Sequence, residues 1–156
     1  MTNRRRLQKV VVHREKALDD SVQKLTAARA EQQRAEEERE RARQEMERAA
    51  AERQKIAEGV MAVDDWRTAN EWLQSRQATH AVRGREVEHA DAQVEQTREG
   101  LLAARVALRS VELLDEKLGR EERAVAERKT QRLEDEIANG LRLAKAARAA
   151  GKRGES

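Results

Sequence analysis

Cysteine, proline, phenylalanine and tyrosine are absent from this chain, and tryptophan occurs only twice. Without cysteine there can be no disulfide and no thiolate metal site, which suits the cytosol. Without proline, no residue breaks a helix from within. Aromatic residues make up 1% of the 156 positions, too little to fill a thick globular core. Charged residues make up 40%, against roughly a quarter in an ordinary soluble domain. No window approaches the roughly 20 consecutive apolar residues that span a bilayer. Near the start, Arg4-Arg5-Arg6 precedes the apolar run Val10-Val11-Val12. That run is too short for the core of a signal peptide, and charged residues follow it at once. These absences lead us to expect a soluble cytoplasmic protein without membrane insertion.

What remains is an alphabet of Ala, Glu, Arg, Gln, Lys and Leu, the strong helix formers. High charge with a poor helix alphabet would indicate disorder; with this alphabet it indicates long helices in a coiled coil. The net charge is only +3, and its distribution carries more than its sum. The segment to Lys16 holds Arg4, Arg5, Arg6, Lys9, Arg14 and Lys16 against Glu15 alone, and the segment from Arg142 holds Arg142, Lys145, Arg148, Lys152 and Arg153 against Glu155 alone. Both ends are therefore basic, a property that fits nucleic acid, anionic lipid or an acidic protein surface equally well.

The chain is organised around Gly59 to Leu73, which contains both tryptophans, Trp66 and Trp72, and the apolar patch Val60-Met61-Ala62-Val63. Gly59 can take the left-handed backbone that ends a helix, and Asp64 or Asp65 can cap the next one by accepting from its free amides. A seven-residue frame runs up to this point. One of its positions reads Val11, Leu18, Leu25, Gln32, Arg39, Met46, Arg53, Val60; the other reads Leu7, Arg14, Ser21, Ala28, Ala35, Ala42, Ala49, Ile56. That is a coiled-coil seam with an alanine-rich middle, which permits close approach but buries little and is expected to be the weakest part. A second frame starts at Trp66 and continues through Leu73, His80, Val87, Val94, Leu101 and Leu108, with Ala69, Ala90, Ala104, Val111 and Leu118 beside it. Its phase is displaced by one residue, so a single unbroken helix would have to absorb a slip at Gly59. The spacing predicts an all-α fold: a long antiparallel two-helix coiled-coil hairpin forming one domain. Helix 1 is expected over about 4–59, the turn over about 60–65, helix 2 over about 66–148 and a disordered tail over 149–156.

Folding back near Ala62 sets Leu7 opposite roughly Lys117 or Leu118, so helix 2 outruns helix 1. From Gly119 onward the apolar residues Val125, Leu133, Ile137 and Leu141 recur at multiples of four, a spacing that drifts around a helix and does not extend the seam. At a rise of ~1.5 Å per residue the overhang to Arg148 projects about 45 Å. A lone helix is marginal in water unless its apolar stripe is covered, so this stretch calls for a partner. Near the turn, Trp66 fits the seam. Trp72 lies one position before the seam residue Leu73, and with Met61, Val63 and Arg76 it forms a contact patch of residue types that often carry binding.

Enzymatic chemistry finds no place here. None of the seven glycines sits in a phosphate-cradling loop. His13, His80 and His89 are never three or four residues apart, as a shared helical metal site requires. Two helices offer no pocket that excludes water and tunes a carboxylate. The reading is a non-enzymatic chain with no cofactor.

Three stretches bring a family into view. They are Leu7, Val10 or Val11, Arg14 and Glu15 at the start; the Asp-Trp turn with Trp66 followed by Trp72; and Glu127-Arg128-Lys129 with Glu134-Asp135-Glu136-Ile137 near the end. In these the chain resembles the FliJ/YscO group, the central stalk proteins of flagellar and virulence-type III export machines. Where flagellar members tend to place aromatics late in the first helix, this chain has Glu45 and Ala49. The resemblance implies a rod similar to the gamma subunit of rotary ATPases, peripheral at the base of a membrane-embedded export machine. It implies contact with the hexameric export ATPase through Leu133, Ile137 and Leu141, aided by Arg4, Arg5, Arg6, Arg142, Lys145 and Arg148. It implies contact with the cytoplasmic ring of the export gate through Met61, Trp72 and Arg76, with export chaperones as further partners and a monomer as the working form. Two other readings compete: a scaffold dimerising through exposed seams, and a nucleic-acid-binding coiled coil. Against the last, acidic residues nearly balance basic ones and neither tryptophan lies among the basic clusters, so nucleic acid is not an expected partner.

Overall fold

A computed structural model of the chain describes residues 3–59 and 62–154. The described residues form two helices and no strand, α1 at Asn3–Glu58 and α2 at Val63–Gly154. The all-α antiparallel hairpin expected from the two frames is the observed fold. Two compact units divide it, His13–Leu108 on one side and Met1–Val12 with Arg109–Ser156 on the other.

Within His13–Leu108 the seam is built as the heptads require. The buried residues are Leu25, Ala42 and Ala49 of α1 and Ala69, Leu73, Val87, Ala90, Val94 and Leu101 of α2. Leu25 packs with Val94 and Leu101, flanked by Leu18 and Ala28. A knob set between two residues one heptad apart is coiled-coil packing. Polar seam positions are satisfied rather than stranded. Gln32 Nε2 donates to Asp91 Oδ1 at 2.7 Å, Arg53 donates to Asn70 Oδ1 at 3.1 Å, and Ser21 Oγ donates to the Ala17 carbonyl of its own helix at 2.9 Å. Three seam assignments do not hold: Arg14, Arg39 and Trp66 are exposed. For the two arginines the reason is length and charge, since a long cation reaches water at little cost whereas its burial is expensive.

Charges beside the seam add register. Arg76 pairs with Glu45 at 2.8 Å and Arg83 with Glu38 at 2.7 Å, both across the hairpin. The Arg76–Glu45 and Arg53–Asn70 links bracket Ala49 and set it level with Leu73. Ala49 is 0% exposed; so small a side chain is fully covered only where the opposite helix comes close.

The turn is made differently from the sequence reading. No described glycine has a positive φ, so Gly59 is not a left-handed cap. Its N–H instead donates to the Ile56 carbonyl at 3.4 Å, tightening the last turn into a 3₁₀-type bond. Ala62 holds the N-cap position of α2, accepting from Asp65 N at 3.1 Å and Trp66 N at 3.4 Å. Asp64 and Asp65 lie inside the first turn, where their charge meets the positive end of the helix dipole. Val60 and Met61 fall outside the described residues. At the other end α2 continues through Gly154, beyond the 148 expected, because Ala149 and Ala150 sustain the helix.

In the unit of Met1–Val12 with Arg109–Ser156, the cover is lighter. Leu7, Val11, Val111 and Leu118 are half-buried. Arg4 fixes the register, its guanidinium reaching Asp115 at 3.2 Å and Glu122 at 3.0 Å. It rests in a notch made by Gly119, where an added Cβ would come within 3.0 Å of the Arg4 guanidinium nitrogen. We expect Arg4→Ala to speed amide exchange at residues 4–11 severalfold and leave the amides around Leu25 unchanged. Hydrogen exchange by mass spectrometry reads this, and equal acceleration at both places would show that Arg4 supports more than its own turn.

Candidate functional site

Two surfaces stand out from the chain's own packing. The first is the end of α2. Residues 125–154 are exposed throughout, and the large apolar side chains among them show values found nowhere in a core: Leu133 60%, Ile137 64% and Leu141 68% exposed. At 3.6 residues per turn, Leu133, Ile137, Gly140, Leu141 and Ala144 share one face. Arg148 falls on that face between Ile137 and Leu141, Lys145 flanks it, and Arg142 lies half a turn around from Leu133. Of the predicted C-terminal basic residues, Arg148 thus lies in the apolar stripe, Lys145 beside it and Arg142 behind it. Of the N-terminal arginines, Arg5 and Arg6 are exposed, whereas Arg4 is occupied by Asp115 and Glu122.

The second surface lies at the turn. Trp72 is 39% exposed and Trp66 43%. Trp72 borders a shallow cleft of about 500 Å³ lined by Glu52, Lys55 and Ile56 of α1, by Gly59 just after it, and by Asp65, Thr68 and Ala69 of α2. Each helix offers residues three and four apart, so the cleft runs along the groove between them. Arg76 is not a free arm beside Trp72. Its ion pair with Glu45 ties it down, and its Nε is buried with no hydrogen-bond partner. Met61 lies outside the described residues. The Arg76–Glu45 and Arg83–Glu38 links escaped the sequence reading. The signal that could have found them is the hairpin register, which brings opposite charges to the same level.

The titration pattern is that of a surface. The Glu40 carboxyl is lowered to about 2 by the hydrogen bond from Arg43, with the guanidinium charge adding to it. Arg83 is raised by its hydrogen bond to Glu86 and by the charge of Glu38. These shifts belong to exposed ion pairs and not to a carboxylate set in a cleft for proton transfer. Among the described residues no cluster of His, Asp and Glu is arranged to hold a metal ion. No described helix is long and apolar enough to cross a membrane.

Fold and surfaces together define a helical hairpin with an uncovered apolar face late in α2. The chain matches the model of the family described as "Flagellar FliJ protein" over residues 3–146, nearly its whole length, and it belongs to that family. It is accordingly a protein of the flagellar export apparatus, structural rather than enzymatic. No match was found among curated proteins or solved structures.

Proposed function

We propose that this chain is the central stalk of a type III protein export apparatus, entering the hexameric export ATPase with the end of α2 and reaching the export gate with its turn. The observation that carries the reading is the bare helix of residues 125–154, whose apolar face has no cover within the chain. Leu133, Ile137 and Leu141 supply the apolar contact with the ATPase. Arg142, Lys145 and Arg148, with Arg5 and Arg6, supply attraction to an acidic collar around it. At the turn, Trp72 and its cleft present a small amphipathic docking place for the cytoplasmic ring of the gate, with export chaperones as further users. Arg76 serves that place from behind, by holding Glu45 and the helix register. The mechanism is insertion and shape. The rod makes ATPase assembly and cycling sensitive to the state of the gate without touching the nucleotide, and its place is peripheral, at the base of the membrane-embedded machine.

The test is ATP hydrolysis by the export ATPase of the same organism, with and without the chain. A triple variant, Leu133→Asp, Ile137→Asp and Leu141→Asp, is compared with the intact protein. These positions are solvent-exposed, so the variant keeps the hairpin, which circular dichroism verifies. The intact chain is expected to promote hexamer formation and hydrolysis and the variant to lose most of that effect. Equal stimulation by both would sink the reading of this face, and no binding by either would sink the stalk itself.

A further inference from the structure

The exposed face of α2 has a property that a generic sticky stripe lacks: its larger residues lie toward one end and its small residues toward the other, so that the face complements itself when reversed. Along the line facing one direction it reads Thr130, Leu133, Ile137, Gly140, Ala144, Ala147. We propose that this face docks on the same face of a second copy of the chain, antiparallel, about a two-fold axis passing between Ala138 and Asn139. In that register Ile137 meets Gly140 of the second copy, Leu133 meets its Ala144, and Thr130 meets its Ala147. The axis then repeats every layer with the chains exchanged, which is the isologous arrangement of a closed dimer. Large against small lets the two helices approach closely while each apolar knob is covered. Gly140 has the room this needs, because a Cβ built there meets nothing within 4 Å.

Charge supports the same alignment. Glu127 and Arg148 lie on the same flank near the two ends of the face, and the antiparallel register sets Glu127 level with Ala150 of the second copy, about 3 Å along the axis from its Arg148. A parallel pair would set Arg148 beside Arg148. The antiparallel register sets Asp135 level with Arg142 of the second copy and Glu134 two residues from the level of its Lys145, while Arg132 and Lys129, level with Lys145 and Arg148, lie on the opposite flank. The contact differs from a scaffold that pairs through the heptad seam, which is closed within one chain at Leu25, Leu73, Val94 and Leu101. Few large side chains are covered, which places the dimer at the weak, transient end of interfaces. The face is the one assigned above to the ATPase, so the two occupants exclude each other. Self-pairing would then keep the stripe covered until the ATPase takes it.

Sedimentation of the full chain at rising concentration tests this, with no ATPase present, so its outcome is independent of the stalk reading. The mass is expected to climb from the monomer's 17.8 kDa toward twice that value. A mass that stays monomeric up to about 1 mM, where even a contact of about 4 kcal/mol would register, overturns the proposal. Gly140→Leu adds apolar surface and improves helix propensity, yet it fills the space Ile137 of the second copy requires. It should abolish the dimer, and a stronger dimer would show a non-specific stripe and overturn the register. Glu127→Arg should weaken association, and Glu127→Arg with Arg148→Glu should restore it; failure of the double variant to restore it overturns the antiparallel alignment.

Discussion

Leu25→Ala should lower the unfolding free energy by about 2–3 kcal/mol, toward the low end of the range for truncating a buried leucine. Leu25 is 8% exposed and packs with Val94 and Leu101. The lower figure follows from the fold, because a seam between two helices has solvent on both flanks and partial collapse or water entry relieves part of the cavity. The loss still matters here. Among the described residues there is no second layer behind the seam, and the core consists of nine small or aliphatic side chains. Leu102→Ala is the control: Leu102 is next to Leu101 in sequence but 54% exposed, and its truncation should stay within about 0.5 kcal/mol of zero. Urea unfolding followed at 222 nm measures both. If the two variants cost the same, the seam does not pack as described.

Ala49→Leu should destabilise by about 1–3 kcal/mol through overpacking, although leucine is nearly as good a helix former as alanine. Ala49 is 0% exposed at the level of Leu73, itself 3% exposed, so three added carbons have no space without pushing the helices apart. Splaying them would also strain the neighbouring links Arg76–Glu45 and Arg53–Asn70. Ala51→Leu, two residues on and exposed, makes the same chemical change without that conflict and should be nearly neutral. A stabilising Ala49→Leu would mean that the helices have room between them at this point and that the alanine-rich middle is loose rather than close.

These two substitutions bear on function through rigidity. The proposed stalk, transmitting position between two partners, depends on a seam that does not slip, and in this chain slip is opposed by few residues. Leucines and valines of the seam supply the burial. Gln32–Asp91, Arg53–Asn70, Arg76–Glu45 and Arg83–Glu38 add direction because each pair reaches only one register. Exposed pairs of this kind contribute little stability singly, and their value lies in excluding the alternative alignments that an alanine seam would tolerate.

Much of this architecture was legible in the residue order. The two heptad frames and the one-residue slip at Gly59 define two helices that fold back, since apolar periodicity and helix propensity are local properties that no distant contact had to supply. The family resemblance was likewise carried by short stretches around Leu7, Trp66 and Glu127. The bare stripe at Leu133, Ile137 and Leu141 could be seen because its spacing leaves the heptad and because α2 is longer than its partner. What the sequence could not decide were the choices made between groups of similar local worth. Gly59 was free to be left-handed and is not; Trp66 matched a seam position and faces solvent; Arg14 and Arg39 matched it and snorkel out. Arg4 and Arg76 were read as partner contacts, and the tertiary structure engages both within the chain, one by Asp115 and Glu122 over the notch at Gly119, the other by Glu45. Each of these depends on the level at which the opposite helix sets its side chains. Periodicity along one helix specifies which face is turned inward, whereas only the paired helices determine what that face meets.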